Sequence, residues 1–130
     1  MIVIDTSAWV EYLRATGSAW NTAVAQRLAR NAIAVPAVVR LELLAGARDD
    51  ERAGDLARLL ARYHALPATP GDHDLAADLY RRSRRAGQTP RSLVDCLIAA
   101  GCLREGLPLL ARDRDYAGLA GVSDLQLVEV

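Results

Sequence analysis

The sequence predicts an α/β fold in which a parallel sheet is covered by helices on both faces. Three observations carry that expectation. Short apolar runs, the first of them β-branched, alternate with longer segments of helical periodicity. Glycine, proline, serine and aspartate punctuate the joins between them. No internal repeat, low-complexity segment or interdomain linker interrupts the pattern. In sheets of this class the ligand lies outside the carboxyl ends of the strands.

The elements follow in order. Ile2-Val3-Ile4 is a continuously apolar run, as expected of a buried parallel strand. Asp5, Thr6 and Ser7 offer cap residues for a helix over 8–13 that ends near Gly17. Ser18 opens a second helix to about Arg30, and 32–35 form a second strand. Pro36 suits the first turn of a helix that Gly46 stops. Asp49 or Asp50 caps a longer helix through about Tyr63, where Leu56, Leu59, Leu60 and Tyr63 recur at helical spacing. Residues 66–70 are a connector and a candidate third strand. Asp72 begins a helix ending at Gly87, and a further helix over 92–104 precedes Gly106. A strand over 107–111, a helical turn over 113–119 and a last strand over 125–128 complete the chain.

At 130 residues the sequence suits one compact domain, 1–130, with a real core. No apolar run approaches the ~18–20 residues that cross a bilayer. Met1 to Asp5 has no basic region before its first acid, unlike a signal peptide, so a soluble cytoplasmic protein with no membrane partner is expected. Cys96 and Cys102 lie six residues apart in one helical pattern, on roughly opposite faces, which excludes a disulfide between them. No CxxC is present, so a structural zinc site is not expected either.

Net charge is zero, and all 16 basic residues are arginine. Arg81, Arg82, Arg84, Arg85 and Arg91 fall between Leu79 and Val94 with no acid among them. Such a strip could meet a polyanion, whose phosphates planar guanidinium forks bind bidentately. It is equally a solvated helix end whose cations favour the C-terminal dipole.

Four acids stand where a carboxylate site would need them, the last with a second acid two residues on. Asp5 ends the first strand; it could cap the next helix, although Thr6 and Ser7 supply that cap equally well. Glu42 lies four residues after Val38 and three after Val39, which puts it on the apolar stripe of its helix. Burying a lone carboxylate costs several kcal/mol, so a cationic partner is expected there. Asp95 completes a Ser92-x-x-Asp95 capping-box pattern, yet it also aligns with Ile98 and Cys102 on the inner face. Asp113 and Asp115 follow a strand. Together these acids match a carboxylate cage for Mg²⁺ or Mn²⁺.

The motifs Ile4-Asp5-Thr6-Ser7-Ala8-Trp9, Leu41-Glu42-Leu43-Leu44-Ala45-Gly46 and Arg85-Ala86-Gly87-Gln88-Thr89-Pro90-Arg91-Ser92 recur in a known order. Asp95-Cys96-Leu97-Ile98-Ala99-Ala100 and Arg112-Asp113-Arg114-Asp115-Tyr116 complete the series. In this the chain resembles PIN-domain ribonucleases, specifically the VapC toxins of type II toxin–antitoxin pairs. The resemblance implies a PIN-like three-layer α/β/α sandwich with a central parallel sheet. It also implies Mg²⁺ or Mn²⁺ dependence, endonucleolytic cleavage of structured RNA (tRNA or rRNA), a homodimer, and a cognate VapB-type antitoxin. Asp5, Glu42, Asp95 and Asp113 occupy the family's acidic positions, with Asp115 accessory. One departure stands at Ala111, where many relatives carry threonine.

The expected chemistry is hydrolysis by metal-activated water, leaving a 5′-phosphate. Asp5, Asp95 and Asp113 hold the metal in this reading, and Glu42 holds a second ion or orients the water. Thr6 or Ser7 binds a metal water or a phosphate. A histidine-pair ribonuclease is disfavoured, because His64 and His73 lie outside every site motif. A phosphotransferase using Asp5 as nucleophile would carry a second aspartate where Ser7 stands. The alternative from another class is a catalytically silent PIN-like binding or assembly module; the retained acids argue against it.

Overall fold

The computed structural model describes residues 1–130. The chain runs β1 (Ile2–Ile4), α1 (Thr6–Leu13), α2 (Ala19–Ala29), β2 (Ile33–Pro36), α3 (Ala37–Ala45), α4 (Asp50–Leu60) and β3 (His64–Leu66). It continues through α5 (Pro70–Arg85), α6 (Leu93–Glu105), β4 (Leu109–Leu110) and α7 (Asp115–Gly121). The strands form one parallel sheet in the order β3-β2-β1-β4. Helices flank it in a three-layer α/β/α sandwich, as expected. No helix is long and apolar enough to cross a membrane.

Strand order explains where a site forms. From β1 the chain moves outward to β2 and β3, then returns to the other side of β1 as β4. The order reverses between β1 and β4, and a crevice opens there at their carboxyl ends. Asp5 leaves β1 at that edge, and the segment holding Asp113 leaves β4 beside it, with the Asp5 N–H donating to the Leu110 carbonyl at 3.0 Å. β1 is buried throughout, as are Ile33, Ala34, Leu109 and Leu110 around it. Helix α6 buries Cys96, Ile98, Ala99, Ala100 and Cys102, so it runs through the interior and is apolar on nearly every side. Gly106 ends it in the left-handed conformation (φ 65°) that glycine adopts without steric cost.

Four local readings change. The third strand is His64–Leu66 rather than 66–70, because Pro67 and Pro70 lack the donors a ladder needs and Pro70 already starts α5. Helix α4 correspondingly ends at Leu60. Helix α5 begins at Pro70 rather than Asp72, capped by Thr69: its hydroxyl accepts from the Asp72 N–H while the Asp72 carboxylate accepts from the Thr69 N–H. The expected last strand is a single bridge, Leu127 against Leu109, too short to be a ladder.

Candidate active site

Asp5, Thr6, Ser7, Glu42, Arg91, Ser92, Asp95, Asp113 and Asp115 line one open cleft of about 410 Å³ with no apolar residue in its wall. All the acids expected from sequence face it. They are not equivalent.

Asp5 is both cap and site residue. Its Oδ1 accepts from the Ala8 N–H at 3.0 Å, closing the first turn of α1, and the Ser7 hydroxyl lies 2.8 and 2.9 Å from its two oxygens. Ser7 in turn accepts from the backbone N–H groups of Arg112 (3.0 Å) and Asp113 (3.1 Å). One hydroxyl thus ties the end of β1 to the segment after β4. The expectation that Ser7 binds a phosphate or a metal water meets a hydroxyl already engaged on three sides. Thr6 is engaged too, donating to Glu42 Oε1 at 2.7 Å.

Glu42 departs from its expected environment. The buried line of α3 is Val39 and Leu43, and Glu42 lies a step around the helix on an exposed flank with Leu41. It is therefore a rim carboxylate held by Thr6 and solvent, and no buried cation is required.

Asp95, Asp113 and Asp115 bring one carboxylate oxygen each within 4.8 Å of one another. Asp115, expected only as an accessory, is a full member of this group. The Ser92-x-x-Asp95 capping box does not form: the Ser92 hydroxyl accepts from the Val94 N–H, while Asp95 turns inward and accepts from the Tyr116 hydroxyl at 3.2 Å. Arg91 is the cation in the cleft, reaching Asp115 through Nε at 3.1 Å and Asp113 through Nη2 at 3.3 Å.

The electrostatics follow from this crowding. Burial, then the nearby Asp113 charge, raise Asp95 from an ordinary 3.8 to about 6. Burial likewise raises Asp5 to about 6, against the lowering effect of its donors Ala8 and Ser7. Burial holds the Cys96 and Cys102 thiols up at about 11 and 12, so neither offers a thiolate. The donor set is all hard oxygen, anionic in excess of its single arginine. It fits a divalent cation such as Mg²⁺ or Mn²⁺.

The arginine strip separates into different environments. Arg81 and Arg82 pair with Asp78, just upstream of the strip, and Arg82 Nη1 donates to the Val122 carbonyl at 3.0 Å. Arg84 lies over the Tyr80 ring, Arg85 is exposed, and Arg91 alone reaches the cleft. Sequence reasoning missed Tyr116 as the partner of Asp95 and the Ser7 bridge. The inward turn of Asp95 was the available signal for the first; nothing in the sequence marks the second.

Comparison with known proteins agrees with this geometry. Residues 2–122 match the PIN domain family. A VapC ribonuclease of Mycobacterium bovis is 44% identical over 129 residues, covering 97% of this chain and 96% of that protein. Ribonuclease VapC11 of Mycobacterium tuberculosis matches to the same extent. Among solved structures, VapBC2 from Rickettsia felis, bound to a DNA fragment from its promoter, superposes with a TM-score of 0.77 at 18% identity, covering 98% of each chain. With its fold, its acidic cleft and these relatives in agreement, this chain belongs to the PIN domain family and, within it, to the VapC ribonucleases.

Proposed function

We propose that the chain is a metal-dependent endoribonuclease, one PIN domain over 1–130, acting in the cytoplasm as the toxin of a toxin–antitoxin pair. Its substrate is structured RNA, tRNA or rRNA. One observation carries the reading: three carboxylates within 4.8 Å of one another at the carboxyl edge of a parallel sheet, with Asp5 beside them. Asp5, Asp95, Asp113 and Asp115 would hold Mg²⁺ or Mn²⁺. When bound, the ion supplies Lewis acidity toward the phosphodiester and the attacking water. Glu42, exposed on the wall of the same cleft and oriented by Thr6, would position that water by accepting its hydrogen bond. Arg84, Arg85 and Arg91 are the strip arginines best placed for RNA phosphates; Arg81 and Arg82 are drawn toward Asp78. The VapBC toxin–antitoxin structures among its neighbours support a VapB-type antitoxin as partner, and the protein acts as a homodimer in this reading.

The test is cleavage of purified tRNA and rRNA with Mg²⁺ or Mn²⁺, then with excess EDTA. Cleavage that EDTA abolishes and that leaves 5′-phosphate ends is expected. Full activity in EDTA overturns the metal mechanism. RNA binding without cleavage under any divalent ion would leave a silent binding module.

A further inference from the structure

Next to the acidic cleft the surface changes sign. A second hollow of about 530 Å³ shares Ser7, Arg91 and Asp113 with the cleft, and its remaining wall is Trp20, Arg112 and Arg114. The change arises from the alternation Arg112-Asp113-Arg114-Asp115: the aspartates enter the carboxylate cluster while the arginines face the neighbouring hollow. Arg112 is held in place rather than loose. Its Nε lies 3.2 Å from Oε1 of the buried Glu11, and its guanidinium carbon sits 5.7 Å from the centre of the Trp20 ring. Arg114 is exposed and makes no ion pair.

We propose that this hollow is a substrate subsite, binding the backbone phosphate of the nucleotide adjoining the one cut at the carboxylate cluster. The inference rests on the ribonuclease reading above. Arg112, lying over the Trp20 ring, presents its free Nη groups to the phosphate, and Arg114 adds a second, untied cation. Trp20 is a positioning residue, since it acts through Arg112. A polyanion crossing the site would thus meet guanidinium groups immediately beside the metal centre, where the carboxylates alone would repel it. An acidic protein segment is the competing occupant, and the RNA titration below decides against or for it.

The experiment titrates fluorescein-labelled single-stranded oligoribonucleotides of mixed sequence into the full chain in EDTA, across a series of KCl concentrations. Cleavage kinetics in Mn²⁺ are measured in parallel. Arg114→Gln carries the test, because that side chain has no structural partner to lose. It is expected to weaken binding and to flatten the salt slope by about 0.7, the value for one released single-strand phosphate contact. Arg112→Gln should do the same, and both should raise KM more than they lower kcat. Trp20→Leu should weaken binding with the salt slope retained, and Trp20→Phe should restore it. If the parent cuts RNA while both glutamine variants keep its affinity, slope and KM, the subsite is overturned and the ribonuclease reading stands. A parent that neither binds these oligoribonucleotides nor cuts them or purified tRNA and rRNA overturns that reading and the subsite with it.

Discussion

Arg91 directs two donors at one oxygen of Asp115: its backbone N–H at 3.2 Å and its Nε at 3.1 Å both reach Oδ2. The same guanidinium reaches Asp113 through Nη2, so one exposed side chain pairs with two of the three clustered carboxylates and offsets one of their charges. A divalent ion entering the cluster competes with this arginine for the same oxygens. Arg91→Gln should therefore tighten Mn²⁺ binding several-fold in calorimetry, an effect limited by the solvent exposure of the pair. Equal affinity in the variant and the parent would mean that the ion and the guanidinium do not share ligands.

The sequence made much of this site legible because strand ends and helix starts leave strong local signals. Asp5 follows a β-branched run, and the β4 edge is marked by the acids after Leu110. Long-range pairings leave no such mark. The tie from Ser7 to residues 112 and 113 spans more than a hundred positions, and no local pattern announces it. Glu42 shows a different limit: periodicity placed it near the apolar stripe, but which flank of α3 turns outward is set by its packing against α4, α1 and β2. The short strands fail for a third reason. The partner of Leu127 is one residue of β4, and a single bridge has no alternation to read.

Acidification and the change Asp95→Asn should act alike on the metal-free protein. Asp5 and Asp95 have folded pKa values of about 6, above the ordinary 3.8. Between those values the native state binds more protons than the unfolded chain, so stability is highest near the lower value and falls as pH rises through about 6. Melting temperature without metal should accordingly rise as pH is lowered from 7 toward 4.5, until other carboxylates protonate, whereas Mn²⁺ affinity should fall over the same range. Asp95→Asn removes one repelling charge and keeps an acceptor for Tyr116. It should stabilise the metal-free fold by about 1 kcal/mol, allowing for the solvent screening of a partly exposed group. Cleavage should be lost, because the neutral amide cannot supply the ligand charge. An active but destabilised Asn variant would return Asp95 to a purely structural role.

Ser7→Ala tests whether the bridge builds the site. The hydroxyl donates to Asp5 and accepts from the N–H groups of Arg112 and Asp113. Its removal leaves the part-buried Asp113 N–H without that partner and takes from Asp5 one of the donors that hold its pKa down. The cost to stability should be about 1–2 kcal/mol, the lower part of the ~1–3 kcal/mol range for a buried group left unsatisfied, because this one is part-buried. Two further effects distinguish a site-building role from a merely stabilising one. Asp5 should titrate higher still, moving the acid limb of Mn²⁺ binding to higher pH. The 112–115 segment, freed from β1, should no longer hold Asp113 and Asp115 in register with Asp95, so Mn²⁺ affinity at neutral pH should drop as well. Ser7→Thr, which keeps the hydroxyl, should recover most of both. A Ser7→Ala protein that loses stability yet binds Mn²⁺ with parental affinity and parental pH dependence would show that the carboxylates are held together by the sheet alone.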